Sequence, residues 1–183
     1  MTPFHLVPEA LTSTECDELI TQVAAQKLKE AGLVGGTKAP EIRRAEIGWL
    51  DDIAQTAWVM DRMMRLVSQA NHQAFGFDLS DFGESPQVAC YDAARMGHFD
   101  WHSDIGAGTW AAKRKLTIVV QLSDPAAYDG GLLELRPDSN IRSAPQTRGT
   151  AILFPSFVLH RVTPVTAGTR WSLTLWSHGP AFR

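Results

Sequence analysis

Cysteine is scarce in this chain of 183 residues: Cys16 and Cys90 are the only two, and neither has a CxxC or CxxxxH spacing around it. There is no disulfide framework to organise the fold, and two free buried thiols in a reducing compartment are expected. No apolar run approaches the ~20 residues that span a bilayer. The N-terminus lacks the basic-then-apolar pattern of a secretory signal. Positive charge is not in excess either. The formal net charge is -3, the opposite of the basic footprint expected of a nucleic-acid binder. Internal repeats, low-complexity tracts and linker-like stretches are absent as well. These absences point to a cytoplasmic protein with no membrane and no nucleic-acid partner.

The hydrophobic share of 44% and charged share of 20% suit a globular protein with a proper core. The length fits a single domain spanning 1–183. Phe4–Val7, ended by Pro8, is expected to be a short edge strand. Thr12 followed by Glu15 forms a capping-box signature, and Leu19, Ile20, Val23 and Ala24 continue at helical spacing towards a stop near Gly32. Val34 to Pro40 is a glycine-rich loop. Ile42–Leu50 alternates as a strand carrying Arg43 and Arg44. Asp51 and Asp52 offer an N-cap for a second helix, with Ile53, Ala57, Met60, Met64 and Val67 as its core stripe.

Beyond residue 76 the helical period disappears. Short runs rich in β-formers alternate with Gly, Pro, Asp and Ser: Gln87–Tyr91, His98–His102, Lys115–Leu122, Leu132–Leu135, Thr150–Phe154, Leu159–Val162 and Trp171–Trp176. Helices come before strands instead of alternating with them, so a parallel α/β sheet is disfavoured. The expected class is mainly β (α+β): a jelly-roll core over about 77–183, with supporting N-terminal helices over about 1–76. In Leu116–Leu122 the even positions are all aliphatic, which leaves Thr117, Val119 and Gln121 on the other face. In Arg170–Trp176 the odd positions, Trp171, Leu173 and Leu175, are apolar. The even face, Arg170, Ser172, Thr174 and Trp176, meets either solvent or a cavity.

One stretch carries the chemistry. In Gly97-His98-Phe99-Asp100-Trp101-His102-Ser103-Asp104, His102 and Asp104 are two positions apart, so at a strand end their side chains converge. His160, after the strand and turn through Pro155, offers a third ligand. Two imidazoles and one carboxylate form the facial set that holds non-haem Fe(II) and leaves coordination positions open. Arg170 offers a planar cationic fork for a carboxylate, with the Ser172 hydroxyl beside it. Taken alone, His-x-Asp is a weak signal, and Arg170 alone reads equally as a solvated arginine.

Together, His102-x-Asp104, His160 and Arg170-x-Ser172 resemble the Fe(II)- and 2-oxoglutarate-dependent dioxygenases. The Gly97-to-Asp104 arrangement, the Gly130-Gly131 turn and Pro155-to-His160 resemble the prolyl-4-hydroxylase-like branch. The resemblance runs roughly from Gln87 to Trp176. It implies a double-stranded β-helix and a requirement for Fe(II), 2-oxoglutarate and O₂, with ascorbate as an optional reductant. It also implies hydroxylation of a C–H bond with release of succinate and CO₂. It assigns iron binding to His102, Asp104 and His160. Arg170 would hold the distal carboxylate of 2-oxoglutarate, with Ser172 beside it and Trp176 walling the pocket. The branch has a Tyr that touches 2-oxoglutarate. Tyr91 is the candidate for that role here if a bulge or loop absorbs the difference, since it lies two residues further from His102 than the usual spacing and Ala93 occupies the aligned position. A carboxylate at Asp104 favours hydroxylation over halogenation in such enzymes. The loops flanking the motif make His98, Asp100, Arg95 and Trp110 substrate-facing candidates, while Arg136, Arg142 and Arg148 meet either an anionic substrate or solvent.

The branch commonly has Gly-Gly-Glu-Thr where this chain has Gly130-Gly131-Leu132-Leu133. Loss of the polar pair shifts the expected substrate towards a small metabolite such as an amino acid, ahead of a peptidyl or prolyl residue on a protein. Two rivals from other classes remain at this level. One is a non-catalytic metal-binding jelly roll. The other is a zinc hydrolase, which would need a general base near the metal and would have no use for Arg170.

Overall fold

In the computed structural model, residues 4–33 and 39–182 are described. The elements in chain order begin with β1 (His5–Val7), α1 (Ser13–Ala24), β2 (Lys29–Glu30), β3 (Arg43–Arg44), β4 (Glu46–Trp49) and α2 (Ala57–Ala70). They continue with β5 (Gln87–Asp92), β6 (His98–His102), β7 (Arg114–Gln121), β8 (Tyr128–Gly130), β9 (Leu133–Arg136) and β10 (Arg142–Ser143). The last three are β11 (Ala151–Pro155), β12 (Leu159–Val162) and β13 (Val165–His178). They build two sheets. The larger runs β1-β11-β7-β13-β5-β4-β2, with β8 added beside β13; the smaller runs β10-β9-β12-β6-β3. All the pairings are antiparallel. The expected mainly-β, jelly-roll-like architecture is what forms.

The two-faced strands explain the layering. Leu116, Ile118, Val120 and Leu122, together with Leu173 and Leu175, turn towards α1 and α2 and form the largest core with Leu19, Val23, Val59, Met63 and Val67. The opposite face of the same strands turns inward, towards the smaller sheet. There Val119, Leu133, Leu135, Ile152 and Phe154 pack as one cluster, and Ile47, Ala89, Tyr91, Val162 and Val165 as another. The even face of β13 is therefore cavity wall.

Three expectations about the N-terminal part need correction. The expected edge strand forms as β1, on β11 of the larger sheet, but the run over 42–50 is not one strand: it divides into β3, which edges the smaller sheet, and β4, which with β2 extends the larger sheet at β5. The capping box forms as read, with Glu15 N donating to Thr12 Oγ1 at 3.2 Å and Thr12 N to Glu15 Oε2 at 2.8 Å. But α1 stops at Ala24, well before Gly32, because the chain turns to pair Lys29–Glu30 with β4. Its buried stripe is Cys16, Leu19 and Val23; Ala24 is exposed. Before α2, two 3₁₀ turns, Leu50–Asp52 and Ala54–Thr56, take up Asp51 and Asp52. The Thr56 hydroxyl bonds back to the Leu50 and Ile53 carbonyls instead of capping the helix. These turns reset the helical phase, and the buried stripe becomes Val59, Met63, Val67 and Ala70. Met64 is 40% exposed. Most of the glycine-rich loop, residues 34–38, lies outside the described residues.

The corrected phase is testable. Met63→Ala removes a side chain with no exposed surface, so it should cost about 2–5 kcal/mol of unfolding free energy. Met64→Ala should stay within about 0.5 kcal/mol of the parent. Urea unfolding of the two variants decides it: equal losses would restore the stripe through Met60 and Met64.

Candidate functional site

Strands β6 and β12 are neighbours, and their register sets His102 directly opposite His160. Further along, Val162 faces Phe99, so β6 carries one extra residue between the two pairs. That bulge reverses the alternation of β6. Phe99 and His102 thereby share the cavity side, with their rings stacked at 3.4 Å between centroids and 11° between planes. His98 and Asp100 are turned away by the same bulge. The His98 ring nitrogens lie 2.9 Å from the Met96 carbonyl and 3.1 Å from the Glu41 carbonyl. The Asp100 carboxylate accepts from Trp101 N.

Past the end of β6, Asp104 enters the space between the imidazoles. His102 Nε2 is 3.6 Å from Asp104 Oδ1, and His160 Nε2 is 3.6 Å from Asp104 Oδ2. The ligand atoms of all three residues lie within 4.8 Å of one another. Each histidine uses Nδ1 on the backbone: His102 on the Asp100 carbonyl at 2.7 Å and His160 on the Val158 carbonyl at 2.9 Å. A carbonyl only accepts, so Nδ1 carries the proton and the Nε2 lone pair faces the centre. Burial and the neighbouring His160 push the His102 pKa well below its ordinary value, against the pull of Asp104, which keeps the ring neutral. Burial alone would raise the Asp104 carboxyl. The adjoining imidazoles in their protonated form, and the Thr117 hydroxyl, which donates to Oδ2 at 2.7 Å, outweigh it and lower the carboxyl below its ordinary value. An imidazole with a free Nε2 lone pair and an ionised carboxylate are the forms in which such residues bind a divalent cation.

The three residues line a cavity of about 740 Å³ that continues between the sheets to Arg170. Arg170 is 1% exposed. Its Nη2 donates to Gln121 Oε1 at 2.8 Å and its Nη1 to Ser172 Oγ at 3.4 Å, while Nε has no partner. Among the described residues no carboxylate pairs with it. Gly131 makes room for its stem: the backbone there has φ +58°, and a Cβ would lie 2.9 Å from Arg170 Cδ. Tyr91 stands opposite Arg170 in the β5–β13 register, with its ring 5.4 Å from the guanidinium carbon. The awkward spacing between Tyr91 and His102 is absorbed by the 3₁₀ turn Ala93–Arg95 and by Gly97, where a Cβ would lie 2.8 Å from Tyr91 Cα. Ser172 and Trp176 line the same cavity.

Several contributors escaped the sequence analysis. Arg114 donates from Nη1 to the Asp104 carbonyl at 3.0 Å and clamps Glu84 through Nε at 2.7 Å and Nη2 at 2.5 Å. Its guanidinium carbon lies 3.9 Å from the centroid of the Trp176 ring. The fully buried His178 accepts from Gly83 N at Nδ1 and sets Nε2 2.9 Å from Glu84. This network braces the Asp104 turn from behind. The signal was a charged residue, Arg114, opening a strand whose every position is buried. Arg43 and Gln87 also line the cavity. Arg95 and Trp110 do not. Arg95 pairs with Glu46 on the outside, and Trp110 lies over His178 and against Gly83. Arg142 pairs with Asp138, Arg148 with Asp17, and Arg136 is exposed, none of them at the cavity.

Known proteins extend the geometry. The sequence profile of the 2OG-Fe(II) oxygenase superfamily matches residues 86–178, just over half of the chain. The chain belongs to that superfamily, whose metal is Fe(II) and whose cosubstrates are 2-oxoglutarate and O₂. A PKHD-type hydroxylase of Pseudomonas aeruginosa (strain LESB58) is 32% identical over 97 residues, 50% of this chain and 42% of that protein. One from Teredinibacter turnerae is 35% identical over 95 residues, again 50% of this chain and 41% of the relative. The match thus spans under half the length of these curated relatives. A solved prolyl-4-hydroxylase of Pseudomonas putida superposes with a TM-score of 0.76 and 25% identity, covering 97% of this chain and 93% of that one. A Trichoplax adhaerens prolyl hydroxylase, solved with a hypoxia-inducible-factor peptide fragment, has a TM-score of 0.81 over 97% of this chain and 84% of that one. At 20% identity it speaks for the fold alone, the double-stranded β-helix. Among the described residues no helix is long and apolar enough to cross a membrane.

Two predictions follow from the site's construction. His102→Ala and His160→Ala should each weaken binding of Fe(II), or of Co(II) as a probe, at least tenfold by anaerobic titration; retained affinity in both would remove these histidines from the metal centre. The second concerns Glu84. Burial would raise its carboxyl, but Arg114 and His178 hold it at about 2, against an ordinary 4.5. A depressed folded-state pKa stabilises the fold above pH 4.5, by about 3 kcal/mol here, and that contribution is lost as pH falls towards 2. The gap in unfolding free energy between the parent and Glu84→Gln should be wide at pH 7 and close towards pH 2. A gap independent of pH would show that the charge of Glu84 contributes nothing.

Proposed function

We propose that the protein is an Fe(II)- and 2-oxoglutarate-dependent hydroxylase acting on a small molecule of the amino-acid class. His102, Asp104 and His160 hold the iron, and Arg170 with Ser172 holds the distal carboxylate of 2-oxoglutarate, with Tyr91 and Trp176 as walls. In this reading residues 1–183 act as one oxygenase domain. The donor set fits a divalent metal, and the observation that carries the cosubstrate assignment is Arg170. It is a fully buried cation with an orphaned Nε, no carboxylate partner among the described residues, and a place in the same cavity as the three metal ligands. A buried charge left without a counter-ion is costly, and an incoming carboxylate removes that cost. Iron and 2-oxoglutarate together supply oxidative decarboxylation coupled to hydroxylation of a C–H bond. The chain's own residues orient and exclude. Thr117 and Arg114 set the carboxylate and carbonyl of Asp104, the two backbone carbonyls set the imidazoles, and the apolar cavity wall limits water.

The preference for a small substrate rests on Leu133. It is 2% exposed and lines the cavity where the branch usually carries a polar residue. A prolyl residue in a peptide is the second reading, favoured by the likeness to the Pseudomonas putida prolyl-4-hydroxylase across almost the whole chain.

Arg170→Ala should weaken 2-oxoglutarate by at least ~30-fold, the lower end of the cost of truncating one partner of a buried charge pair. Arg170→Lys should lose less, since charge survives without the fork. The measurement is titration of the visible band that Fe(II) and 2-oxoglutarate form anaerobically, beside a direct iron-binding assay. Unchanged 2-oxoglutarate affinity in Arg170→Ala would place the cosubstrate on a different wall.

A further inference from the structure

The cavity holds a second cation without a counter-ion. Arg114 is neutralised by Glu84, and Arg170 is assigned to 2-oxoglutarate in the function proposed above. Arg43 has no such partner: among the described residues no carboxylate lies within ion-pair distance of it. Its Nη1 donates to the Gly32 carbonyl and its Nη2 to Gln87 Oε1, each at 3.1 Å. Its Nε is buried and makes no hydrogen bond. Neutral acceptors therefore fix the guanidinium in place while its charge stays unmet.

Arg43 is also placed for a substrate. It lies on β3, the edge of the smaller sheet, opposite Phe99 in register. Its guanidinium carbon is 4.5 Å from the Phe99 ring centroid, and Phe99 in turn stacks on His102. Through Phe99, Arg43 thus reaches the end of the cavity where His102, Asp104 and His160 converge. Arg170 lies elsewhere. The Arg43 guanidinium bonds Gln87, which stands opposite Thr174, while the Arg170 guanidinium bonds Ser172, which stands opposite Ala89, two strand positions away, or roughly 7 Å at strand rise. One cavity thus presents two fixed cations at separate points.

We infer that Arg43 is a specificity-determining residue that binds the carboxylate of the hydroxylated substrate, and that this substrate is a small carboxylic acid. Gln87 acts as its positioning residue, since its side-chain oxygen aims the fork. A neutral peptide segment would leave Arg43 uncompensated on burial, which disfavours the peptidyl alternative. The inference rests on Arg170 being the 2-oxoglutarate residue.

The experiment uses protein loaded with Fe(II) and saturating 2-oxoglutarate. The probes are the proteinogenic L-amino acids with their N-acetyl and 2-hydroxy counterparts, each beside its own carboxamide, and an end-blocked proline peptide. Anaerobic perturbation of the visible band reads binding; succinate release above the uncoupled level reads coupling. At least one acid should bind ~30-fold or more tightly than its amide, the loss expected when a fixed cation is deprived of its anion. In Arg43→Ala that preference should shrink to within about threefold, and Arg43→Lys should restore part of it. Thermal melting and 2-oxoglutarate titration of the band establish that the variants are folded and loaded. If no acid is preferred over its amide, if the preference survives Arg43→Ala, or if the blocked peptide outcompetes every acid, the inference is wrong. If Arg43→Ala weakens 2-oxoglutarate instead, both Arg43 and Arg170 are misassigned. A parent protein that forms no band at all would overturn the proposed function itself, a failure separable from that of Arg43.

Discussion

The site depends on how Asp104 is held. Its amide donates to the Ser156 carbonyl at 2.9 Å, its carbonyl accepts from Arg114, and its carboxylate accepts from Thr117. Ser156 and Thr117 are themselves 3.0 Å apart through their hydroxyls. These contacts come from the start of β7 and from the turn between β11 and β12, so one residue ties the larger sheet to the end of the smaller one. A buried carboxylate costs several kcal/mol unless it is hydrogen-bonded and faced by positive charge. The donors supply part of that compensation, and the two imidazole Nε2 atoms define where a cation supplies the remainder.

The same logic of uncompensated charge runs through the cavity. Buried ionisable groups that serve only the fold are expected to be paired, and Arg114, Glu84 and His178 meet that expectation in full. Among the described residues, the buried Arg170 and the half-buried Arg43 have no such pairing. Each is fixed by neutral acceptors, Gln121 and Ser172 for one, Gln87 and Gly32 for the other, and each keeps a buried Nε without a partner. Such groups store an electrostatic cost in the empty protein that an anionic ligand removes, a usual way for a site to gain affinity from a preorganised donor.

The β6 bulge shows how local geometry selects among adjacent residues. Without it, His98, Asp100 and His102 would share one face by simple alternation. With it, Phe99 joins His102 instead, and the aromatic ring that stacks on the histidine also lies 4.5 Å from the Arg43 guanidinium carbon. One extra residue thus exchanges two polar side chains for an aromatic ring in contact with both a candidate metal ligand and a cation.

Much was decided by short-range pattern alone. The strands Gln87–Asp92, His98–His102 and Leu159–Val162 lie at or within a residue of where alternation and turn residues put them. The two faces of β7 and β13 follow from period two, and the His102, Asp104, His160 and Arg170 constellation is legible because each residue sits in a recognisable local context. The α1 capping box belongs to the same class, being a contact between residues three apart. What the linear pattern missed depends on contacts made across the sheets. The phase of α2 was reset by Thr56 bonding back to Leu50 and Ile53, the end of α1 by strand pairing with β4, and the outward turn of His98 and Asp100 by a bulge defined only against β12. Glu84, Arg114 and His178 are separated by 30 and 94 residues along the chain from one another's partners, so no local window contains their pairing. Arg43 read as one basic residue on a strand; only the closure of the two sheets set it half-buried beside Phe99, with no carboxylate partner among the described residues.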